Sequence, residues 1–207
     1  MISLASVLVA VCLLLFMSIN LDNLLRYHAG FSAGSKRLEI EKPIAVPLLL
    51  AGVGTVAFFL ESFLYVLLGF SYDLFPLPRY LVFEITQLEF FGLLIMVLGY
   101  AIFIWSVLAR GRYATSWQMP TDHKLVNWGP YRYVRHPSYL GYFLMFTGFA
   151  LLWHNVLALV PLIAIPGYML ITLREEEMLV TRFKEAYLLY QKNTGRFLPK
   201  IPLTKSC

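Results

Sequence analysis

Residues 139–173 read YLGYFLMFTGFALLWHNVLALVPLIAIPGYMLITL, a run of 35 residues without a single Lys, Arg, Asp or Glu. A helix that spans a bilayer needs about 20 mostly apolar residues, so this run is too long for one span and just long enough for two short ones. His154-Asn155 is the one polar pair in the run. The stretch therefore predicts two transmembrane helices with a break at this pair.

Three further apolar runs precede this stretch, and the total is five predicted spans. Hydrophobic residues make up 59% of the chain and charged residues 14%, against roughly 45–50% and about 25% in an average soluble domain. This composition excludes a disordered or collagen-like chain and argues against a soluble nucleic-acid binder. We expect an all-α, polytopic integral membrane protein. The first three spans run from Ile2 to about Asn20, from Ile44 to Phe70 and from about Leu88 to Ala109.

The first apolar run has a second interpretation, because cleavable secretory signals also have an apolar core. Such cores are about 7 to 15 residues long and follow positive charges. Here the run is longer and no positive residue precedes it. A retained membrane anchor is therefore the favoured prediction.

The basic residues are distributed unequally along the chain. Five spans place segments 21–43, 110–138 and 174–207 on one side of the membrane, and these segments hold 16 of the 17 Lys and Arg residues. Only Arg79 is left for the other side. Because cytoplasmic loops carry an excess of Lys and Arg, the pattern predicts a cytoplasmic C-terminus and an N-terminus outside.

The segment that leads into the fourth span is dense in Gly, Pro, His, Arg and Tyr. Residues 115–143 read TSWQMPTDHKLVNWGPYRYVRHPSYLGYF, in which Gly129-Pro130 indicates a turn and His136-Pro137 a helix start. Arg132, Arg135 and His136 would then cluster at a helix N-terminus, which favours anions. We expect a carboxylate or phosphate ligand at this point. Contact of the same charges with lipid headgroups is the open alternative.

Three consecutive acids come after the fifth span. At 100° per residue, Glu176 falls about 20° from Phe183 and Glu175 about 80° from it, whereas Glu177 and Arg174 point away. Two acids therefore face the packed side, where the basic loop can supply their partners. A solvated acidic run explains Glu177 well and Glu176 poorly. If the fifth helix continues out of the membrane, that face carries Leu179, Phe183, Ala186, Tyr187 and Tyr190.

The second span contains two unusual features. Glu61 is an ionisable residue inside an apolar run, so it is either a functional group or the partner in a structural hydrogen bond. Gly52-Val53-Gly54 has no preceding strand and predicts close helix packing, not nucleotide binding. The chain has no Walker loop, nucleophile elbow or zinc-type Cys/His spacing, and we expect no metal site.

An ordered set of short motifs lies in the second half of the chain. His-Lys-Leu-Val occupies 123–126, Gly-Pro-Tyr 129–131 and Arg-His-Pro-x-Tyr-x-Gly 135–141, and Glu-Glu at 175–176 precedes a Leu, a Phe and two Tyr in register. This set resembles the isoprenylcysteine carboxyl methyltransferase family, within the membrane-embedded methyltransferases that include phospholipid methyltransferases. The resemblance covers roughly residues 113–202. It divides the chain into spans 1–3 (residues 1–112) and a catalytic region (113–207).

The resemblance implies S-adenosylmethionine as the methyl donor, with S-adenosylhomocysteine as product. The pocket would lie on the cytoplasmic side, between the loop before the fourth span and the helix after the fifth. The implied partner is a membrane lipid or lipidated acceptor, and no nucleic acid. The positions that match the family's cofactor contacts are Gln118, His123, Lys124, Leu125, Val126, Tyr131, His136, Pro137, Ser138, Tyr139 and Glu175.

The resemblance leaves the acceptor open. The eukaryotic prenylcysteine enzyme has a substrate-linked arginine one turn before the Glu pair, and the matching residue here is Ile171. A carboxylate acceptor is already ionised, so its methylation depends on positioning and electrostatics, for which Arg135 or Arg174 would hold the anion. An amine acceptor would need proton removal by an acid such as Glu176.

The favoured prediction is carboxyl methylation of an isoprenylcysteine-type substrate, with three alternatives. The first is a phospholipid amine methyltransferase. The second is a sterol-type membrane reductase that uses NADPH, since such reductases have a similar Arg-His-Pro region but more spans. The third is a non-enzymatic scaffold whose basic face binds anionic lipid, for which the number of charges would matter more than their identity.

Overall fold

The computed structural model describes residues 4–27, 36–37, 42–68, 85–113, 118–119 and 124–200. Within these residues the fold is all-helical apart from one pair of two-residue strands, which confirms the predicted class. The α-helices are α1 (Leu4–Tyr27), α2 (Lys42–Leu68), α3 (Ile85–Arg110), α4 (Pro137–Leu152), α5 (Ala164–Phe183) and α6 (Glu185–Asn193). The strands are β1 (Lys36–Arg37) and β2 (Gln118–Met119), and 3-10 helices cover Gly111–Tyr113, Gly129–Arg132 and Val156–Ile163.

Four segments of the described chain are long and apolar enough to span a bilayer, and α4, with 16 residues, is a shorter apolar helix. The last of the four combines a 3-10 helix with α5 in 28 residues. The uncharged 35-residue run thus forms two helical segments, as predicted, of which the first is short. The chain is a multi-pass membrane protein. The four long segments are Leu4–Leu25, Ala45–Leu68, Gln87–Arg110 and Val156–Phe183.

The break between the last two apolar segments lies at the predicted pair. Helix α4 ends where the Trp153 N–H donates to the carbonyl of Phe149 at 2.8 Å. The buried Asn155 then caps the next 3-10 helix, since its Oδ1 accepts from the Leu157 N–H at 3.0 Å. Asparagine is among the best N-capping residues because its side chain satisfies an amide that the helix leaves unpaired. This confirms the break at His154-Asn155.

Aromatic side chains fill the centre of the bundle. Phe58 of α2 packs against Phe146 and Phe149 of α4, with ring centroids 5.1 and 5.5 Å apart, and all three are buried. Glu61, one turn along α2, is also buried, and its Oε2 has no hydrogen-bond partner among the described residues. That oxygen makes no structural hydrogen bond there, so its alternative role as a functional group stays a prediction.

Helices α3 and α4 pack closely through glycines spaced seven residues apart. A Cβ atom built on Gly99 would lie 2.7 Å from the carbonyl oxygen of Gly141, and one built on Gly148 would lie 2.5 Å from the backbone nitrogen of Met96. Real Cβ atoms do not approach backbone atoms so closely, so only glycine fits at these positions. Small residues of this kind allow two membrane helices to bring their backbones together.

A second glycine contact joins α2 to α5. A Cβ on Gly54 would lie 2.7 Å from the Cβ of Ala164, and one on Gly167 would lie 2.7 Å from the backbone nitrogen of Ala51. Gly52 has nothing within 4 Å of its Cβ position. The packing prediction for Gly52-Val53-Gly54 is therefore confirmed for Gly54 and wrong for Gly52, because the two lie about 200° apart on the helix and only one faces α5.

Three segments that the charge pattern assigned to one side meet at one end of the fold. Strand β1, between α1 and α2, pairs antiparallel with β2, which comes after α3. Val134, before α4, forms a bridge with Gly195, after α6. Arg79, which was predicted for the opposite side, lies outside the described residues. The shared end is observed, whereas its cytoplasmic orientation stays a prediction.

Candidate active site

A buried carboxylate on α5 organises this end of the molecule. Glu176 is 4% exposed, and both of its oxygens accept hydrogen bonds from arginine. Arg135 Nε lies 2.9 Å from Oε1 and Arg196 Nη2 lies 2.9 Å from Oε2. His136 Nε2 is 3.1 Å from Oε1, and Gln191 Nε2 donates to Oε2 at 3.0 Å. We call these five residues the Glu176 cluster. It joins α5 to the start of α4, to α6 and to the segment after α6.

Arg135 makes several contacts within and beside this cluster. Besides its bond to Glu176, its guanidinium donates to the carbonyls of Gln191 and Thr194, and its side chain is 8% exposed. Its backbone N–H donates to the Gly195 carbonyl at 2.8 Å. Glu176 thus supplies an internal carboxylate beside Arg135 and His136, and the external anion expected at this helix start stays a prediction. Four of the five N–H donors of Arg135 are used by protein acceptors, and its role toward an external acceptor stays a prediction.

Glu175 occupies a different environment from its neighbour. Its Oε1 accepts from the Tyr139 hydroxyl at 2.6 Å, and its Oε2 lies 3.6 Å from His136 Nδ1. His136 therefore stands between the two carboxylates. The rings of His136 and Tyr139 stack with centroids 5.7 Å apart, and Tyr139 stacks on Tyr168 at 4.7 Å. These contacts confirm that both Glu175 and Glu176 face inward.

Arg174 and Glu177 lie outside this arrangement. Their side chains are 45% and 63% exposed, and Arg174 Nη1 donates to Glu177 Oε2 at 3.0 Å. The helical rotation had placed both on the outer face, and this is confirmed. Arg174 is thus not among the residues that the fold brings to the site. Ile171, at the position that the resemblance linked to an acceptor arginine, is 2% exposed and packs in the apolar core.

The fifth helix continues beyond the predicted span end at Leu173, but only as far as Phe183, so the face expected to reach Tyr190 is interrupted. Lys184, with φ of 49°, separates α5 from α6, and a residue in this left-handed conformation changes the direction of the chain. Tyr187 is consequently buried while Ala186 is exposed. Tyr190 donates its hydroxyl to the Tyr131 carbonyl at 2.5 Å, which ties α6 to the loop before α4. Burial raises the pKa of both Tyr187 and Tyr190, so their phenols remain protonated donors.

A second group of polar side chains adjoins Tyr139, and we call it the serine layer. It consists of Ser106 of α3, Ser138 of α4 and Tyr131. The Ser138 and Ser106 hydroxyls lie 2.8 Å apart, and the Tyr131 hydroxyl lies 3.4 Å from Ser138. The guanidinium carbon of Arg110, the last residue of α3, lies 5.9 Å from the centroid of the Tyr131 ring. Burial raises the pKa of the Tyr131 hydroxyl, while the charge of Arg110 and the hydrogen bond with Ser138 act in the opposite direction.

Sequence reasoning missed Ser106 and Arg110. A serine inside an apolar span and an arginine at its end are both common in membrane helices, where the arginine reaches the interface. Neither residue type carries a signal that separates an anchoring role from a place in a site. Arg110 lies near Tyr131, in the loop before α4, and Ser106 lies near Ser138 of α4. Only the packing of α3 on α4 brings these residues together.

The remaining residues predicted to contact the cofactor differ in their burial and in whether the structure describes them. Val126 is buried and packs with Tyr113 and Tyr131, which places this part of the loop beside the serine layer. Lys124 is exposed, and Leu125 is partly buried. Pro137 is buried and begins α4. Gln118 lies in β2, and His123 lies outside the described residues.

This arrangement presents a carboxylate and a phenol beside a half-buried arginine. The Glu175 carboxylate accepts one hydrogen bond, from the Tyr139 hydroxyl, and His136 lies 3.6 Å from its other oxygen. It therefore keeps lone pairs that can accept from a further donor. The described residues contain no cluster of three or more His, Cys, Asp or Glu side chains that could hold a metal ion. The groups described at this site act by hydrogen bonds and charge, which are means of positioning a ligand.

Comparisons with known proteins agree with the motif set. Residues 88–186 match the family model described as phospholipid methyltransferase, a range that runs from α3 into α6. The chain resembles membrane methyltransferases. Protein-S-isoprenylcysteine O-methyltransferase of Tribolium castaneum is 32% identical over 124 residues, which are 57% of this chain and 44% of that protein. The Xenopus laevis protein of the same name is 33% identical over 129 residues, 57% of this chain and 43% of the relative.

The resemblance to the isoprenylcysteine methyltransferases is thus confirmed, although the chain spans less than half the length of these curated relatives. A solved structure of a eukaryotic intramembrane Ras methyltransferase, isoprenylcysteine carboxyl methyltransferase, is 26% identical with a TM-score of 0.48. The similarity covers 80% of this chain and 55% of that one.

Proposed function

We propose that the protein is an S-adenosylmethionine-dependent methyltransferase that acts at the membrane on a lipidated or lipid-like acceptor. The favoured reaction is carboxyl methylation of an isoprenylcysteine-type substrate. The observation that carries the proposal is the meeting of the buried Tyr139 and His136 with the partly buried Glu175 in one group. These residues belong to motifs about 36 residues apart in the chain, and they are the ones that the resemblance connects with the cofactor.

The residues at this site suit the proposed cofactor chemically. S-adenosylmethionine carries hydroxyl, ammonium and sulfonium groups, and a partly satisfied carboxylate such as Glu175 can accept hydrogen bonds and attract positive charge. When bound, the cofactor would supply an electrophilic methyl group and leave as S-adenosylhomocysteine. Tyr139 orients the Glu175 carboxylate by donating to it. The cofactor contacts that we propose are Gln118, His123, Lys124, Leu125, Val126, Tyr131, His136, Pro137, Ser138, Tyr139 and Glu175.

The Glu176 cluster supports this site without contacting the reacting atoms in our proposal. Both oxygens of Glu176 are engaged by protein donors, so this carboxylate is poorly placed to take a proton from an amine acceptor. Its effect is to hold the start of α4 against α5 and the segment after α6. These contacts of the Glu176 cluster fix the positions of His136 and Tyr139. Positioning of the reactants is the main requirement of a direct methyl transfer.

A binding titration tests the cofactor assignment. Purified protein in detergent is titrated with S-adenosylhomocysteine and, separately, with NADPH. We expect saturable binding of the former only, and about tenfold weaker binding for His136→Ala and Glu175→Ala. Glu177→Ala, which changes an exposed side chain of the same helix, should bind as the wild type does. Saturable binding of NADPH alone would favour the reductase and overturn the proposal.

A phospholipid amine is the second candidate acceptor, because the matching family model carries that description. The two candidates differ in the product that they form. A prenylcysteine with a free carboxylate and phosphatidylethanolamine are each incubated with the protein and radiolabelled S-adenosylmethionine. A base-labile methyl ester supports carboxyl methylation, whereas a base-stable methylamine supports the phospholipid reaction. Label in neither product would contradict both.

We also propose that the site end of the fold faces the cytoplasm, as the distribution of basic residues suggests. Arg79→Cys, in a chain with Cys12→Ala and Cys207→Ser, provides one thiol on the opposite side. A membrane-impermeant maleimide should label it in intact cells. Labelling that occurs only after permeabilisation would reverse the orientation.

A further inference from the structure

The site contains several arginines, and they differ in how far protein groups satisfy them. Arg135 and Arg196 both pair with the buried Glu176 carboxylate. Arg174 pairs with Glu177 on the outer face. Arg110, at the end of α3, forms no salt bridge with the described residues, and its buried Nε has no hydrogen-bond partner among them. Among these four arginines, Arg110 is therefore the one on the inner side that the described residues leave without an anionic partner.

A buried guanidinium donor without an acceptor is costly. Burying a donor without an acceptor forfeits its hydrogen bond to water, and the loss is greater when the group is charged. The nearby Tyr131 ring attracts the positive charge of Arg110 at 5.9 Å but offers no acceptor to its N–H groups. Buried polar groups in folded proteins nearly always have a partner, so this donor calls for one outside the described protein groups. An anion is the partner that would satisfy the N–H and also compensate the positive charge.

The position of Arg110 indicates which anion. It is the last residue of the apolar span Gln87–Arg110, and Ser106 and Val107 shortly before it are buried in the fold. A lipid-linked carboxylate would lie at this depth, with its chain among the apolar helices and its head at the boundary. The guanidinium carbon of Arg110 lies 5.9 Å from the centroid of the Tyr131 ring, and the Tyr131 hydroxyl lies 3.4 Å from that of Ser138, so Arg110 is beside two of the proposed cofactor contacts.

We propose that Arg110 binds the carboxylate of the methyl acceptor and so selects an anionic lipid over a neutral one. This inference rests on the proposed methyltransferase function. The guanidinium can donate two parallel hydrogen bonds to a carboxylate, a geometry that fixes the orientation of the acceptor as well as its position. Bound in this way, the acceptor would meet the end of α3 on one side and the Tyr139 and Glu175 group on the other.

The test compares a prenylcysteine free acid with its carboxamide, which has the same shape but no charge. Affinities of both compounds are measured for the wild type, Arg110→Gln and Arg110→Lys in the presence of S-adenosylhomocysteine. We expect the wild type to prefer the acid by about tenfold or more. Arg110→Gln should lose this preference while its affinity for S-adenosylhomocysteine changes less than about threefold. Arg110→Lys should keep part of it, since the charge remains but the bidentate geometry is lost.

Arg182→Gln is the matched control, because Arg182 is exposed at the end of α5. It should retain the preference for the acid. A wild type without preference, or an Arg110→Gln variant that keeps it, would reduce Arg110 to a packing partner of Tyr131 and overturn the inference. Loss of S-adenosylhomocysteine binding by Arg110→Gln would assign Arg110 to the cofactor and overturn it too.

Because these measurements need no turnover, they are independent of the proposed reaction. A wild type that binds the acid selectively but transfers no methyl group would contradict the proposed function and leave the anion site standing. If Arg110→Gln fails to fold, the wild-type preference and its reduction in Arg110→Lys still decide the question.

Discussion

Glu175 and Glu176 are neighbours in the sequence, yet the fold treats them differently. Glu176 accepts hydrogen bonds from two arginines, a histidine and a glutamine. Glu175 accepts one phenol hydrogen bond and has His136 at 3.6 Å. A fully satisfied buried carboxylate stabilises the structure, whereas a partly satisfied one retains capacity for a ligand. We therefore expect changes at Glu176 to affect stability first, and changes at Glu175 to affect binding first.

The largest expected effect is that of Glu176→Gln. The substitution keeps the shape but removes the charge that compensates Arg135 and Arg196, and breaking a buried ion pair costs about 3 kcal/mol or more. The free energy of unfolding should fall by about that amount, measured by thermal or denaturant unfolding in detergent. Unchanged stability would mean that solvent or another group replaces the carboxylate, and the comparison would fail.

Glu175→Gln should instead change binding. We expect the affinity for S-adenosylhomocysteine to fall about tenfold, with less than about 1 kcal/mol lost from stability, because Glu175 contacts the described residues through one phenol hydrogen bond and a longer contact to His136. Calorimetric titration and thermal unfolding of the same preparation measure both quantities. A loss of stability equal to that of Glu176→Gln would show that both carboxylates serve the same structural purpose.

Tyr139→Phe sharpens the role of Glu175. The ring, with its stacking on His136 and Tyr168, is retained, while the hydroxyl that orients Glu175 is removed. One neutral hydrogen bond contributes about 1 kcal/mol, so S-adenosylhomocysteine should bind about threefold to fivefold more weakly. Affinity equal to that of the wild type would mean that Glu175 needs no orientation by the phenol.

Glu177→Gln gives the smallest effect and completes the series of three adjacent carboxylates. Its ion pair with Arg174 is exposed, and such pairs contribute between 0 and about 1 kcal/mol. Neither stability nor affinity should change measurably in the assays used for its neighbours. A clear loss in either assay would place this outer face in an interaction that the fold does not explain.

The candidate site was predictable in part. The motif at 135–139 and the inward direction of Glu175 and Glu176 result from local rules, namely the helix start at proline and the 100° rotation per residue. The basic loop was expected to supply partners for these acids, but the specific pairing of Arg135 with Glu176, 41 residues away, depends on how α4 and α5 pack. The break at Lys184 also escaped prediction, since no glycine or proline marks it.

The sequence by itself determined the membrane class, the position of the break at His154-Asn155 and the side of α5 that carries its acids. These properties depend on apolar length, capping chemistry and helical period, which are local. Only the tertiary structure decided that Gly54 packs and Gly52 does not, and that Arg110 joins the site. Those outcomes depend on how α2 meets α5 and how α3 meets α4, and contacts between distant segments arise only when the helices pack.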